Sequence, residues 1–339
     1  MQLHISDTNF YTILLFQVVI MSSEVIEEHD FHMDHLDLEI LKILADNCRT
    51  SYRSVGLALG LTTNTVKRRV KLLIQNKIIE KFITNLNFAV LGYRMNCLLI
   101  IRHQNSNLDE IAKYLHRFGN IYLRINAIGG TSVFGIIVRP SMEEKIMLLK
   151  DTSSRDLLRV AEKDSTASIN IRDIFIGYHT SHFKLVETDL KIIRCLLFDP
   201  RMTIIDISNT ISVSRRTVIR RIETMTENRL LNFGLVYNPS AMKGYNYFSI
   251  LAQADKSLFQ DITERIYSDL SRYLLRHPTL IHKDVIILNL YSENVFDIER
   301  IFRKVESFPG VKKAEVFQPL DIKWLQDWLV TEIDGRVKK

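Results

Sequence analysis

Apolar positions between residues 34 and 75 fall at helical intervals, and the same pattern returns without a gap 152 positions later, from Asp37 to Asp189. Leu36, Ile40, Leu41 and Leu44 make one face of a first helix. Its twin carries Thr188, Ile192, Ile193 and Leu196, so only the first contact is lost. A second short helix follows, opened by Ser51 in one copy and Thr203 in the other, each able to cap by accepting a backbone N–H bond. Val55 and Leu59 face inward from it, as do Ile207 and Ile211. After the turn Leu59-Gly60-Leu61, Thr62 starts a third helix; helix, short turn and helix make a helix-turn-helix. In the second copy Ser212 replaces the glycine, at a cost of about 1 kcal/mol if the turn requires a positive φ.

The third helix buries Val66, Val70 and Leu73, which places Asn64 and Arg68 on the opposite side and Thr63, Lys67 and Lys71 on its flanks. Shifted by the repeat, Val218, Ile222 and Met225 point inward, Arg216 and Arg220 point outward, and Arg215, Ile219 and Glu223 lie beside them. Such a helix fits the major groove, where Arg or Lys reads guanine, Asn reads adenine and an apolar side chain touches a thymine methyl. Asn64 and Arg68 are thus candidate base readers of a first head, and Arg216, Arg220 and Ile219 of a second. Thr62, Thr63, Lys67, Lys71, Ser214, Arg215 and Thr217 complete the candidate DNA-contacting set. Arg69 and Arg221 lie nearer the buried stripe and suit a phosphate or an internal carboxylate better than a base edge.

Each third helix is followed by a short apolar stretch suited to a wing strand, Ile78–Ile83 in one copy and Leu230–Val236 in the other. Beyond Gly92-Tyr93 and Gly244-Tyr245, the pattern alternates strand, helix, strand, strand, helix, strand. In the first copy these are Met95–Arg102, Leu108–Phe118, Tyr122–Ile128, Val133–Val138, Met142–Lys150 and Ile169–Ile176. In the second they are Tyr247–Gln253, Leu258–Leu270, Tyr273–Ile281, Val285–Tyr291, Val295–Val305 and Val311–Phe317. The expected fold class is α+β: two winged helix-turn-helix domains, each followed by a ferredoxin-like βαββαβ domain. The expected boundaries are 34–92, 93–181, 182–244 and 245–320, with a C-terminal helix over 321–339 striped by Trp324, Leu325, Trp328, Leu329 and Ile333. Packing of that helix on the sheet or on the first copy is the default expectation.

Composition changes the picture little. With 339 residues, 46% hydrophobic and 25% charged, the chain has the profile of a folded soluble protein. A net charge of +6 agrees with a polyanionic partner only because the cations cluster on the third helices. Cys48, Cys97 and Cys195 are isolated and lack the spacing of a zinc site or disulfide framework, which points to the cytoplasm, with no metal and no cofactor. In the leader, residues 1–33, the apolar run Phe10–Met21 is 12 residues long, against roughly 20 needed to cross a bilayer, and no Lys or Arg precedes it. No membrane anchor is expected. Either Met21 or Met33 is the true start, or the leader packs on a neighbouring domain.

The order of these elements resembles the Lrp/AsnC, or feast/famine, family of transcription regulators. The residues that carry the resemblance are Leu36-Asp37 with Ile40-Leu41, Thr65-Val66 through Arg69-Val70, Ile78-Ile79, Leu91-Gly92-Tyr93 and Phe308-Pro309-Gly310-Val311. The resemblance implies double-stranded DNA as partner, pairing through the sheets and, in many members, an amino-acid or other small effector. Two copies in one chain allow an intrachain pseudo-dimer in place of, or beside, a homodimer. The family's Gly followed closely by Asp at the hairpin joining the second and third strands of the sheet domain is incomplete in both copies: Gly129-Gly130-Thr131-Ser132 has no acid, and His282-Lys283-Asp284 has no glycine. Asp284 is the one candidate effector contact.

Catalytic patterns are sparse. Gly129-Gly130 lacks the spacing and lysine of a phosphate loop, and neither an HExxH, a Cys cluster nor a Gly-x-Ser-x-Gly turn occurs. The enzymatic alternative rests on analogy: sirohaem decarboxylases share this layout and use His and Arg around a tetrapyrrole. His103, His116, His179, His277 and His282 are scattered single histidines, and the main reading is a non-enzyme.

Overall fold

The computed structural model describes residues 31–104, 108–148, 168–178, 181–282 and 284–337. The leader expectation therefore falls largely outside the described residues, as does the end of the helix expected to reach Lys150. All elements below lie in one compact unit, Met33–Lys339.

The first helix-turn-helix comprises α1 (His35–Asp46), α2 (Tyr52–Leu59) and α3 (Thr63–Gln75), followed by β1 (Ile79–Leu86). The first sheet domain follows as β2 (Met95–Gln104), α4 (Leu108–Leu115), β3 (Gly119–Ala127), β4 (Thr131–Val138), α5 (Glu143–Leu148) and β5 (Ser168–Tyr178). The second half repeats this as α6 (Glu187–Phe198), α7 (Ile204–Ile211), α8 (Arg215–Glu227) and β6 (Leu231–Tyr237). Its sheet domain is β7 (Asn246–Ala254), α9 (Phe259–Leu270), β8 (Thr279–His282), β9 (Val285–Ser292), α10 (Asp297–Glu306) and β10 (Val311–Phe317). The chain ends in β11 (Pro319–Trp324) and α11 (Asp327–Val337).

Both sheets are antiparallel with the order of a ferredoxin-like unit, β10-β7-β9-β8 in the second half and β3-β4-β2-β5 in the first, where β11 adds an outer strand beside β3. Alternation along each strand sorts the core. Cys97, Leu99, Ile101, Phe134 and Ile136 pack under α4 and α5 with Ile111, Leu115 and Ile146. The opposite face of the same sheet, with Ile100, Val133 and Ile125, meets Leu251, Val285 and Ile287 of the other sheet. The two halves thus pair within one chain, and every residue of β4 is buried because both of its faces are covered.

Two features differ from the sequence expectation and one adds to it. The two wing strands form, and each is the other's partner, on which the strand pattern is silent: β1 pairs antiparallel with β6, with Asn85 opposite Asn232 and Ile83 opposite Gly234. A lone strand leaves its backbone groups unpaired, and the twin strand is the nearest template. The tail is not helical from its start, since Trp324 ends β11, which pairs with β3. The strand expected over Tyr273–Ile281 shrinks to Thr279–His282, and Tyr273 sits in a 3-10 turn. Pro278 has no N–H for the ladder and restrains His277, which breaks the strand there.

Candidate nucleic-acid interface

Each head is shaped by a tight turn. Gly60 closes α2 at φ 68°, with the Leu61 N–H donating to Gly56 O at 2.8 Å, and a Cβ on Gly56 would come within 2.5 Å of Leu61 O. The second copy builds the same turn with side chains: Ser212 takes φ 55°, and Ser208, in the place of Gly56, donates from Oγ to Val213 O at 2.6 Å. Its closing backbone bond, from Val213 N to Ser208 O, is correspondingly longer at 3.2 Å. The next helices are capped alike. Thr62 accepts from Thr65 N at 3.1 Å, and Ser214 accepts from Thr217 N at 3.1 Å.

The inner faces of α3 and α8 are anchored by Val66, Val70 and Leu73 and by Val218, Ile222 and Met225, all buried. Ion pairs fix their rotation. Arg69 donates to Asp37 and Asp34, each at 2.8 Å. Arg221 donates to the fully buried Asp189 from Nε at 2.5 Å and again from Nη2. Asp37 and Asp189 also accept the N–H groups of Asp34 (3.2 Å) and Val186 (3.0 Å), closing the start of α1 and α6. Burial opposes the charge on Arg69, but its carboxylate bonds outweigh that and raise its pKa. The bond to Asp189 does the same for Arg221. Of the two roles expected for these arginines, the geometry provides the internal carboxylate.

The outer faces are of another kind. Asn64, Lys67, Arg68 and Lys71 on α3 are exposed, as are Arg215, Arg216, Ile219 and Arg220 on α8; Thr63 and Thr217 are half-buried. Among the described residues none of these six cations is paired with a carboxylate. The helices share a frame but not a surface: Thr63, Asn64, Lys67 and Lys71 correspond to Arg215, Arg216, Ile219 and Glu223.

The heads are coupled by a pair of arginines that the sequence shows only as a repeated identity. Arg49 donates from Nη1 to Pro200 O at 2.7 Å and Met202 O at 3.0 Å. Its twin Arg201 donates to Cys48 O and, at 3.4 Å, to Thr50 O. The exchange is reciprocal about a pseudo-twofold axis, since 48 and 50 map onto 200 and 202 under the repeat. Arg49 also lies 5.3 Å from the centre of the Phe233 ring, and Arg201 lies 4.4 Å from that of Tyr52. Burial opposes the charge on Arg49 and lowers its pKa.

The sequence profile of the AsnC-type helix-turn-helix domain matches residues 33–74 and 187–226. A helix-turn-helix-type transcriptional regulator of Pyrococcus furiosus, itself uncharacterized, is 32% identical over 108 residues, 32% of this chain and 73% of the relative. The chain belongs to the Lrp/AsnC family. Another similar member, a helix-turn-helix-type transcriptional regulator of Methanocaldococcus jannaschii, is 35% identical over 89 residues, 26% of this chain and 60% of the relative. Among solved structures, the siroheme decarboxylase NirDL overlaps 90% of this chain and 100% of its own at 10% identity, with a TM-score of 0.45.

The remaining candidates of this Lrp/AsnC chain lie away from the heads. Asp284, between β8 and β9, accepts from Gln253 Nε2 at 2.7 Å. His103 bonds Ser132 Oγ at 2.9 Å on the first sheet and has its pKa lowered by burial, whereas His277 bonds the Tyr267 hydroxyl at 2.7 Å in the second half. His179 and the His282 side chain lie outside the described residues. Among the described residues no group of His, Cys, Asp or Glu could hold a metal, and no helix is long and apolar enough to cross a membrane.

Proposed function

We propose that this regulator applies two unlike recognition helices to two unlike half-sites of double-stranded DNA. The observation that carries the reading is the contrast between Arg69 and Arg221, tied to buried carboxylates, and the six outward cations of the same helices, which among the described residues have no carboxylate to neutralise them. Unpaired cations on a rigid convex rod suit a phosphate-lined groove. In the first head Asn64 and Arg68 read bases. In the second, Arg216 and Arg220 read guanine and Ile219 meets a thymine methyl. Thr62, Thr63, Lys67, Lys71, Ser214, Arg215 and Thr217 line the helix starts and flanks, where phosphate contacts set register.

The chain acts by binding, without catalysis or a cofactor, in the cytoplasm. The reciprocal arginines Arg49 and Arg201 support the intrachain pseudo-dimer as the binding unit, because they hold both heads in one frame. A small effector acting near Asp284 is part of the same reading. Selection of bound oligonucleotides from a random pool tests it: two unequal half-sites are expected, with affinity falling steeply as salt rises through counterion release. A perfect palindrome would contradict the asymmetry, and no enrichment at moderate salt would contradict specific binding.

A further inference from the structure

Just before Pro278 and the short β8, Leu274, Leu275, Arg276 and His277 line a cleft of about 360 Å³ together with Lys42, Ile43 and Asp46 of α1, between the first head and the second sheet domain. That volume suits a small organic molecule. Its lining combines apolar Ile43, Leu274 and Leu275 with Lys42, Arg276 and His277. Among the described residues Asp46 is the one carboxylate in the lining. Lys42 is largely satisfied, by Glu39 at 2.8 Å and the Tyr291 hydroxyl at 3.2 Å. Arg276 spends one N–H on Ala45 O at 2.7 Å and, among the described residues, meets no carboxylate. A guanidinium has five N–H donors, so most of its capacity is left for an anion.

The duplication supplies a template for the occupant. The counterpart of Lys42 is Arg194, and there the chain lays α11 along α6: Arg194 Nε donates to Asp334 Oδ1 at 2.6 Å, with Val337 alongside. In the second half a carboxylate with an apolar neighbour thus meets the helix cation at the edge of a cleft of about 480 Å³, whereas in the first half the lining offers Arg276 without such a partner. We propose that the cleft beside α1 binds a small organic carboxylate, its charge on Arg276 and its apolar part against Ile43, Leu274 and Leu275. The occupant would tie the first head to the second sheet domain. Any effect on DNA affinity rests on the regulator reading, whereas the binding itself does not.

Calorimetric titration of the full chain tests this with 3-methylbutanoate, its uncharged analogue 3-methylbutanol, and sulfate as an anion without an apolar part. Saturable binding of 3-methylbutanoate is expected, with the alcohol and sulfate about tenfold weaker or worse. Arg276→Gln should weaken binding of 3-methylbutanoate about tenfold. Ile43→Glu, which places a tethered carboxylate in the cleft, should abolish it, and Arg194→Gln should leave it unchanged. Thermal melting of each variant shows whether it is folded, and Ile43→Glu serves as the test if Arg276→Gln is not. No saturable heat from 3-methylbutanoate at millimolar concentration overturns the proposal. So does sulfate or the alcohol binding as well as 3-methylbutanoate, or folded Arg276→Gln or Ile43→Glu binding it like the wild type.

Discussion

Replacing Arg221 by Leu should destabilise the second head severely. Asp189 is 0% exposed and accepts three bonds, from Val186 N at 3.0 Å, Arg221 Nε at 2.5 Å and Arg221 Nη2. Without the guanidinium, the carboxylate keeps one N–H donor and no counter-charge. Breaking a buried pair from one side costs about 3 to 5 kcal/mol. The Arg221 side chain is 21% exposed, so water reaches the site and the low end, about 3 kcal/mol, applies. Adding Asp189→Asn removes the stranded charge and should recover much of the loss. Urea unfolding followed by circular dichroism measures both. A loss below about 1 kcal/mol for Arg221→Leu, the range of exposed pairs, would refute the reasoning, as would a double variant no more stable than the single.

Ser212→Gly should raise the thermal midpoint, because it relieves a serine at φ 55°, and Gly60→Ser should lower it; each change is worth about 1 kcal/mol or less, as strain is set against chain entropy. Arg68→Ala should cost about 1 to 3 kcal/mol at a guanine-bearing first half-site, while Lys71→Ala should weaken all sequences alike; binding to matched and mismatched duplexes separates the two. Burial pushes the thiols of Cys48 and Cys97 up to about 11 and about 12. At pH 8 both are therefore almost wholly protonated, and iodoacetamide should label them far more slowly in native than in denatured protein.

Local physics makes the heads legible in the sequence. Spacings of four and three at Val66, Val70 and Leu73 mark the buried stripe of α3, and that stripe alone places Arg68 outside. The pairing of β1 with β6 was not legible, because a strand's period says which face is buried but not which partner lies beside it. Leu320, Ile322 and Trp324 recur at every second residue, as a strand requires, but the helical spacing of Trp324, Leu325, Trp328 and Leu329 overlaps and hides them. Pro278 was a visible sign that the strand expected over Tyr273–Ile281 would break. In the sequence Arg49 and Arg201 are no more than a repeated identity, since their acceptors are carbonyls more than 150 positions away. No periodicity reports such a contact.

The central claim is that unlike outer faces on a shared frame read unlike half-sites. Oligonucleotide selection by the wild-type chain, beside a variant carrying Arg215→Thr, Arg216→Asn, Ile219→Lys and Glu223→Lys, tests it most directly. All four positions are exposed, so the second head should keep its fold while acquiring the outer face of the first. The wild type should enrich two unequal half-sites, and the variant should shift the second toward an inverted copy of the first. A palindrome from the wild type, or the same sequences from both proteins, would contradict the account.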